Sequence, residues 1–221
     1  MEPDIAQTVS RAKVGDTAAV DALAQRALTL ALRTSAATLG SREDAADVAQ
    51  EVAIDVLQSL RSLRDPALFD AWVYRITARR ALRFLQSRRG RSRAESQLDS
   101  LADHAQPAVE FGEAALVEQW TATPAIRQAL SELPPRQRLA LALRYVAGLT
   151  DSEIAEVLGC RRGTACSLLS RGRSALQANP LLAGLRCPRL RIRREESEEC
   201  TLDTHQTASA GAESSALRRR R

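Results

Sequence analysis

Aromatic side chains make up only 3% of the 221 residues, and the chain holds two histidines and a single lysine, Lys13. So few rings exclude an aromatic-rich β-sandwich, because pleated sheets favour β-branched and aromatic residues. No apolar run approaches the roughly 18 residues that span a bilayer. Met1-Glu2-Pro3-Asp4 opens acidic, where a secretory leader would open basic and continue apolar. The expectation is a cytoplasmic protein without membrane insertion. Two histidines, no glycine-rich phosphate loop and no Ser/His/Asp or Cys/His arrangement leave no candidate catalytic residue. Cys160, Cys166, Cys187 and Cys200 form no CxxC pair, and with His205 they fit no common zinc spacing. Neither metal nor cofactor is expected, and the thiols read as reduced.

What the chain does have is alanine, leucine and arginine. A hydrophobic fraction of 44% made largely of small and straight-chain side chains builds a core when helices pack closely, so the fold class is all-α. The net charge of +5 is unevenly spread. Residues 1–93 carry 15 basic and 11 acidic side chains, residues 94–129 one and six, residues 130–176 seven and four, and residues 177–221 nine and six. Two basic blocks thus flank an acidic stretch, and a basic tail follows. The predicted organisation is a helical domain over 1–93, an acidic flexible linker over 94–124, a second helical domain over 125–177 and a disordered basic tail over 178–221.

Periodicity predicts one helix over 5–33, through Val20, Leu23, Ala27 and Leu30. Gly40-Ser41 breaks it, and Ser41 starts a second helix running to about Leu63, where Asp65-Pro66 ends it. A third covers about Leu68 to Ser87. In the second block, helices are predicted near 125–132, 135–147, 151–158 and 162–176.

Three helical faces carry the functional reading. Thr150-Asp151-Ser152-Glu153 is a capping box, Gly159 permits a sharp turn, and a helix restarts near Arg162, which together make a helix-turn-helix. At 100° per residue, Ala165, Leu168, Leu169, Gly172 and Leu176 share one side of that last helix, and Gly163, Ser167, Ser170, Arg171 and Ser174 share the other. Small hydroxyls and arginine suit entry into a major groove; a helical hairpin with a solvated polar face fits the same pattern. In the third helix Trp72, Arg75, Arg79 and Arg83 lie opposite Tyr74, Ala78, Ala81 and Leu85, and residues 69–84 hold four of the seven aromatics. Cations beside flat rings hold unpaired bases; rings in the core with solvated arginines are the alternative. On the second helix Asp44, Asp47, Glu51 and Asp55 form an acidic face that phosphate would repel, so it is either solvated or docks a basic protein surface.

In order, REDAADVAQEVAIDVLQSL, FDAWVYRITARRALRFLQSRR and LSELPPRQRLALALRYVAGLTDSEIAEVLGCRRGTACSLLSRGRSAL resemble the second and fourth conserved regions of bacterial RNA polymerase sigma factors of the extracytoplasmic-function type. The resemblance implies a non-enzymatic protein that binds core RNA polymerase and promoter DNA, with an anti-sigma factor as a partner by family habit. It assigns polymerase docking to Asp44, Asp47, Gln50 and Glu51. It assigns the −10 element and its melted strand to Trp72, Tyr74, Arg75, Arg79, Arg80 and Arg83. The −35 duplex falls to Arg162, Thr164, Cys166, Ser167, Ser170 and Arg171. The competing reading is a helix-turn-helix regulator, or a sigma paralogue, that does not engage polymerase. Some positions depart from the family pattern: Ala46 and Ala53 stand where an acid and an aromatic are common, Arg79 where asparagine is frequent, and Arg161 at the usual serine cap. Cys166 and Leu168 replace a common basic pair, which implies weaker or altered −35 binding that the basic tail offsets by nonspecific phosphate contact.

Overall fold

A computed structural model describes residues 4–95 and 124–183, and every described element is helical. The linker and tail expected from the sequence lie almost entirely outside these residues. The first unit comprises α1 (Ile5–Lys13), α2 (Thr17–Leu39), α3 (Arg42–Ser59) and α4 (Phe69–Glu95), with single 3₁₀ turns at Leu60–Ser62 and Pro66–Leu68 between α3 and α4. The second comprises α5 (Pro124–Glu132), α6 (Pro135–Tyr145), α7 (Asp151–Leu158) and α8 (Arg162–Gln177), followed by a 3₁₀ turn at Pro180–Leu182.

The single helix expected over 5–33 is two. Gly15 takes φ 95°, a left-handed conformation that costs glycine little, and Asp16 then caps α2 by accepting from the Ala19 amide. Arg11 Nε donates to Asp16 Oδ2 at 2.8 Å across the break. The second break falls where expected: Gly40 closes α2 at φ 75°, and the Ser41 hydroxyl accepts from the Asp44 amide to open α3. At the other end, α4 outruns its expected stop near Ser87 by two turns. No proline interrupts Arg88–Glu95, arginine is a good helix former, and Gly90 alone costs about 1 kcal/mol, too little to end a long helix.

Small side chains set the spacing of the first core. Ala27 and Ala31 of α2 and Ala45 and Ala49 of α3 are buried, letting these two helices approach closely. Val48, Val52 and Val56 fill the seam, with Phe69 and Val73 of α4 closing it. Buried threonines on α2 return their hydroxyls to their own helix: Thr34 Oγ1 donates to the Leu30 carbonyl at 2.9 Å and Thr38 Oγ1 to the Thr34 carbonyl at 2.7 Å. No buried hydroxyl at these two positions lacks a partner, so the packing keeps its apolar gain.

The second core joins α5, α6, α7 and α8 through Leu130, Leu133, Leu139, Leu141, Leu143, Ile154 and Leu169. Here α8 lies so near α6 that a Cβ at Gly172 would stand 3.0 Å from Leu141 Cδ1. The two helical units also meet one another. Tyr74 and Ala78 of α4 belong to this second core, and α2 and α4 both contact α6. The two units share a packed boundary because α4 is apolar on more than one side.

Candidate protein and nucleic-acid interfaces

The acidic helix presents a stripe rather than a uniform face. Asp47, Gln50 and Glu51 are exposed, and Asp44 is half-buried. Ile54 completes the helical spacing at 54% exposure, an apolar residue that the charge pattern did not single out. Its signal was present in the sequence as an isoleucine outside the buried alanine and valine seam.

One of the expected nucleic-acid contacts, Arg80, also braces this helix. Arg80 clamps Asp55 with two hydrogen bonds, Nε to Oδ2 and Nη2 to Oδ1, each 2.7 Å, while Nη1 donates to Glu51 Oε2 at 2.8 Å. Paired planar forks of this kind are the strongest carboxylate contacts a side chain makes, and Asp55 pushes the Arg80 guanidinium further toward its charged form. Arg88 makes a second link from α4 to Asp44. The structure therefore sets the Arg80 guanidinium of α4 against α3. The first turn of α4 is held similarly from behind, where Arg26 Nε and Nη2 each donate at 2.7 Å to the Asp70 carboxylate.

The remaining α4 residues divide. Arg79 and Arg83 are exposed one turn apart, and Arg75 is half-buried. Trp72 is also half-buried; its ring packs on the first core and meets Phe69 at 6.2 Å between centroids, tilted by 56°. Such a tryptophan keeps part of its ring available for stacking while its body is anchored. Tyr74 does not join them. It is 7% exposed and lies in the second core, where burial pushes its phenol above the ordinary value and the Asp70 carboxylate adds to the effect.

The helix-turn-helix assembles from local signals. Thr150 Oγ1 accepts from the Glu153 amide and the Thr150 amide donates to Glu153 Oε2 at 2.8 Å, completing the capping box. Gly159 turns the chain at φ 61°. These amide and hydroxyl bonds hold the Glu153 carboxyl below its ordinary 4.5. Because the folded value is depressed, the stabilisation is complete above 4.5 and is lost as pH falls through the lowered value. Thr150→Ala is expected to cost about 0.5–2 kcal/mol, read as a shift in the urea midpoint, since it removes a cap acceptor. A variant as stable as the parent would show the box to be ornamental.

On α8, Ala165, Leu169, Gly172 and Leu176 are buried, and Arg162, Gly163, Thr164, Ser167, Ser170, Arg171 and Ser174 are exposed. The latter face carries two cations and four hydroxyls with little bulk, which fits the width of a major groove. Arg161 caps α8 without a side-chain bond, as expected for a residue with no acceptor oxygen. Cys166, also expected at the −35 groove, stands at the edge of this face. It is half-buried, with Sγ 3.3 Å from Asp151 Oδ2.

Residues 19–91 match the Sigma-70 region 2 model and residues 124–176 match the Sigma-70 region 4 model, together more than half of the chain. The chain is 32% identical over 185 residues to the RNA polymerase sigma-H factor of Pseudomonas aeruginosa, covering 80% of this chain and 94% of that protein. Over 146 residues it is 31% identical to the ECF RNA polymerase sigma-E factor of Escherichia coli, covering 63% of this chain and 76% of that one. It belongs to the extracytoplasmic-function sigma factors. The fold agrees: the sigma factor RpoE of Bartonella quintana, solved with the anti-sigma factor NepR, superimposes with a TM-score of 0.51 at 22% identity, over 73% of this chain and 95% of that one. The protein thus binds core RNA polymerase and promoter DNA and directs transcription initiation. No helix among the described residues is long and apolar enough to cross a membrane.

Proposed function

We propose that this sigma factor divides its contacts among three helical faces, each built from named side chains. Asp47, Gln50 and Glu51, with Asp44 at the edge and Ile54 as an apolar centre, dock a basic surface of core polymerase. Trp72, Arg75, Arg79 and Arg83 hold the melted −10 strand, ring by stacking and guanidinium by phosphate, with Tyr74 joining when uncovered. Arg162, Thr164, Ser167, Ser170 and Arg171 enter the −35 groove. The observation that carries this reading is the opposition within the first unit: an acidic exposed stripe on α3 beside an arginine stripe on α4. One sign repels phosphate and the other attracts it, so a small helical unit can present protein and nucleic acid with separate faces. The protein works in the cytoplasm, has no catalytic site or cofactor, and has as a third partner an anti-sigma factor, the kind of protein that holds the Bartonella neighbour.

The test adds purified protein to sigma-free core polymerase and measures promoter-specific transcription together with co-migration. Promoter-specific transcripts and a stable complex are expected. Absence of core binding defeats the polymerase assignment, and core binding without initiation marks a paralogue that has lost promoter opening. Arg171→Ala is expected to weaken duplex binding by about 1–3 kcal/mol if the side chain reads a base edge. If it reads phosphate only, affinity falls uniformly across sequences and the salt slope drops by about one. Unchanged affinity and unchanged sequence preference would remove α8 from the −35 contact.

A further inference from the structure

The stretch that leads into α4 is the least regular part of the first unit. Between the 3₁₀ turns at Leu60–Ser62 and Pro66–Leu68, residues Leu63, Arg64 and Asp65 belong to no helix. Leu63 and Phe69 are buried at its two ends, while Arg61, Arg64, Asp65 and Leu68 are exposed. Asp65 braces the second turn locally, its Oδ1 accepting from the Ala67 amide at 3.0 Å. Two cationic side chains reach in from elsewhere. The Lys13 ammonium, at the end of α1, donates to the Leu63 carbonyl, and α1 also packs on the Pro66–Leu68 turn. The Leu63 amide already closes the first turn on the Leu60 carbonyl, so α1 supplies a donor to a carbonyl at the edge of the core, where an unmet one is costly. Arg26 of α2 grips Asp70, in the first turn of α4, with paired 2.7 Å bonds.

We propose that Lys13 and Arg26 are positioning residues for strand capture: they fix the lead-in to α4 and thereby the angle at which the Trp72 ring meets an unpaired base. The two side chains suit their acceptors. A single carbonyl takes one donor from a point ammonium, and Lys13 is the one lysine among 32 basic residues; a carboxylate takes the planar fork of an arginine. Neither contact is placed to add much stability. The Arg26 and Asp70 side chains are 39% and 37% exposed, and ion pairs so open to water contribute little. Their effect is on geometry. Trp72 stands within one helical turn of both Phe69 and Asp70, and it is anchored on one side by the first core with the rest of its ring exposed. A shift of that first turn swings the ring. Stacking needs the ring face presented to the base, and a ring held in advance spares binding an ordering cost. The base contact rests on the −10 assignment of Trp72; the seating of the ring does not.

In the full chain carrying Trp120→Phe, Trp72 is the one remaining indole. Acrylamide quenching of its fluorescence then reads the seat of the ring, and binding of a fluorescein-labelled single-stranded oligodeoxythymidine reads stacking. Lys13→Met and Arg26→Met, made singly, are each expected to raise the quenching at unchanged helicity and unchanged co-migration with core polymerase. Each is expected to weaken oligonucleotide binding by roughly three- to tenfold, the size of one ordering cost restored. Lys13→Arg, which returns a donor on a long stem, is expected to recover both readings; a Lys13→Arg variant no better than Lys13→Met overturns the role of the donor. Asp70→Asn breaks the Arg26 pair with a side chain of the same shape and serves if Arg26→Met loses helicity. It also removes a negative charge, so electrostatics alone would strengthen binding: weaker binding supports seating by Arg26, and equal or stronger binding overturns it. Unchanged quenching in both methionine variants overturns the proposal. Trp72→Ala separates this from the −10 assignment. Binding lost there but kept in the methionine variants overturns the positioning role alone, and binding kept in Trp72→Ala overturns the assignment of Trp72 to the strand.

Discussion

Replacing both Asp47 and Glu51 by lysine is expected to abolish co-migration with core polymerase while leaving binding of a −35 duplex intact. Both carboxylates are exposed on α3, one turn apart, with Gln50 beside them and Ile54 one turn further. Setting like charges against a basic partner costs several kcal/mol, so the reversal is expected to weaken the complex by about a hundredfold or more. The fold should survive the change. Asp47 is solvent-exposed, and after loss of Glu51 the Arg80 guanidinium keeps its two bonds to Asp55. Thermal unfolding within about 1 kcal/mol of the parent would show this, since exposed ion pairs contribute little. Retained co-migration would remove α3 from the polymerase interface, and loss of duplex binding as well would signal a misfolded chain.

The second large effect concerns stability. Phe69→Ala is expected to destabilise the chain by about 3–5 kcal/mol, because it deletes a fully buried ring and leaves a cavity that the helices around it only partly fill. Phe69 closes the seam between α2 and α3 and is the tilted partner of Trp72, so the loss also frees the tryptophan. Its neighbour Leu68 provides the contrast: at 52% exposure, Leu68→Ala should change stability by no more than about 0.5 kcal/mol. Urea denaturation of the two variants and the parent distinguishes these cases. A loss below about 1 kcal/mol for Phe69→Ala would mean the first unit repacks around the missing ring.

The helix-turn-helix could be read almost completely from sequence because its determinants are local. A capping box, a glycine at a left-handed turn and a small-residue stripe each act within a few positions, and α7 and α8 begin and end within a residue of expectation. The break between α1 and α2 is local too, but Gly15-Asp16 carries no proline and sits inside a continuing apolar period, which hides the cap. Helix α4 was harder for a different reason. Its apolar residues serve two partners, so spacing shows that Tyr74 and Ala78 face inward without showing which unit receives them. The arginines divide by angle: Arg75, Arg79 and Arg83 share one stripe at steps of four, and Arg80 stands 100° away, against α3. Its partners Glu51 and Asp55 lie 29 and 25 residues earlier, beyond the reach of any periodicity argument. Likewise, nothing in the run around Arg138 reveals that its acceptor is a carbonyl 100 residues upstream.

The three-way contact of Arg80 constrains how this chain can vary. Positions 51, 55 and 80 share one guanidinium, so a neutral residue at 80 would leave two carboxylates a single helical turn apart with nothing between them. A change at any one of the three alters the charge that α3 shows to its partner as well as the seat of α4. Drift at these positions is therefore expected to be correlated, with Arg80 lost in lineages that have also lost Asp55. The charge shown by α3 and the seating of α4 would then be inherited together, as one unit of variation.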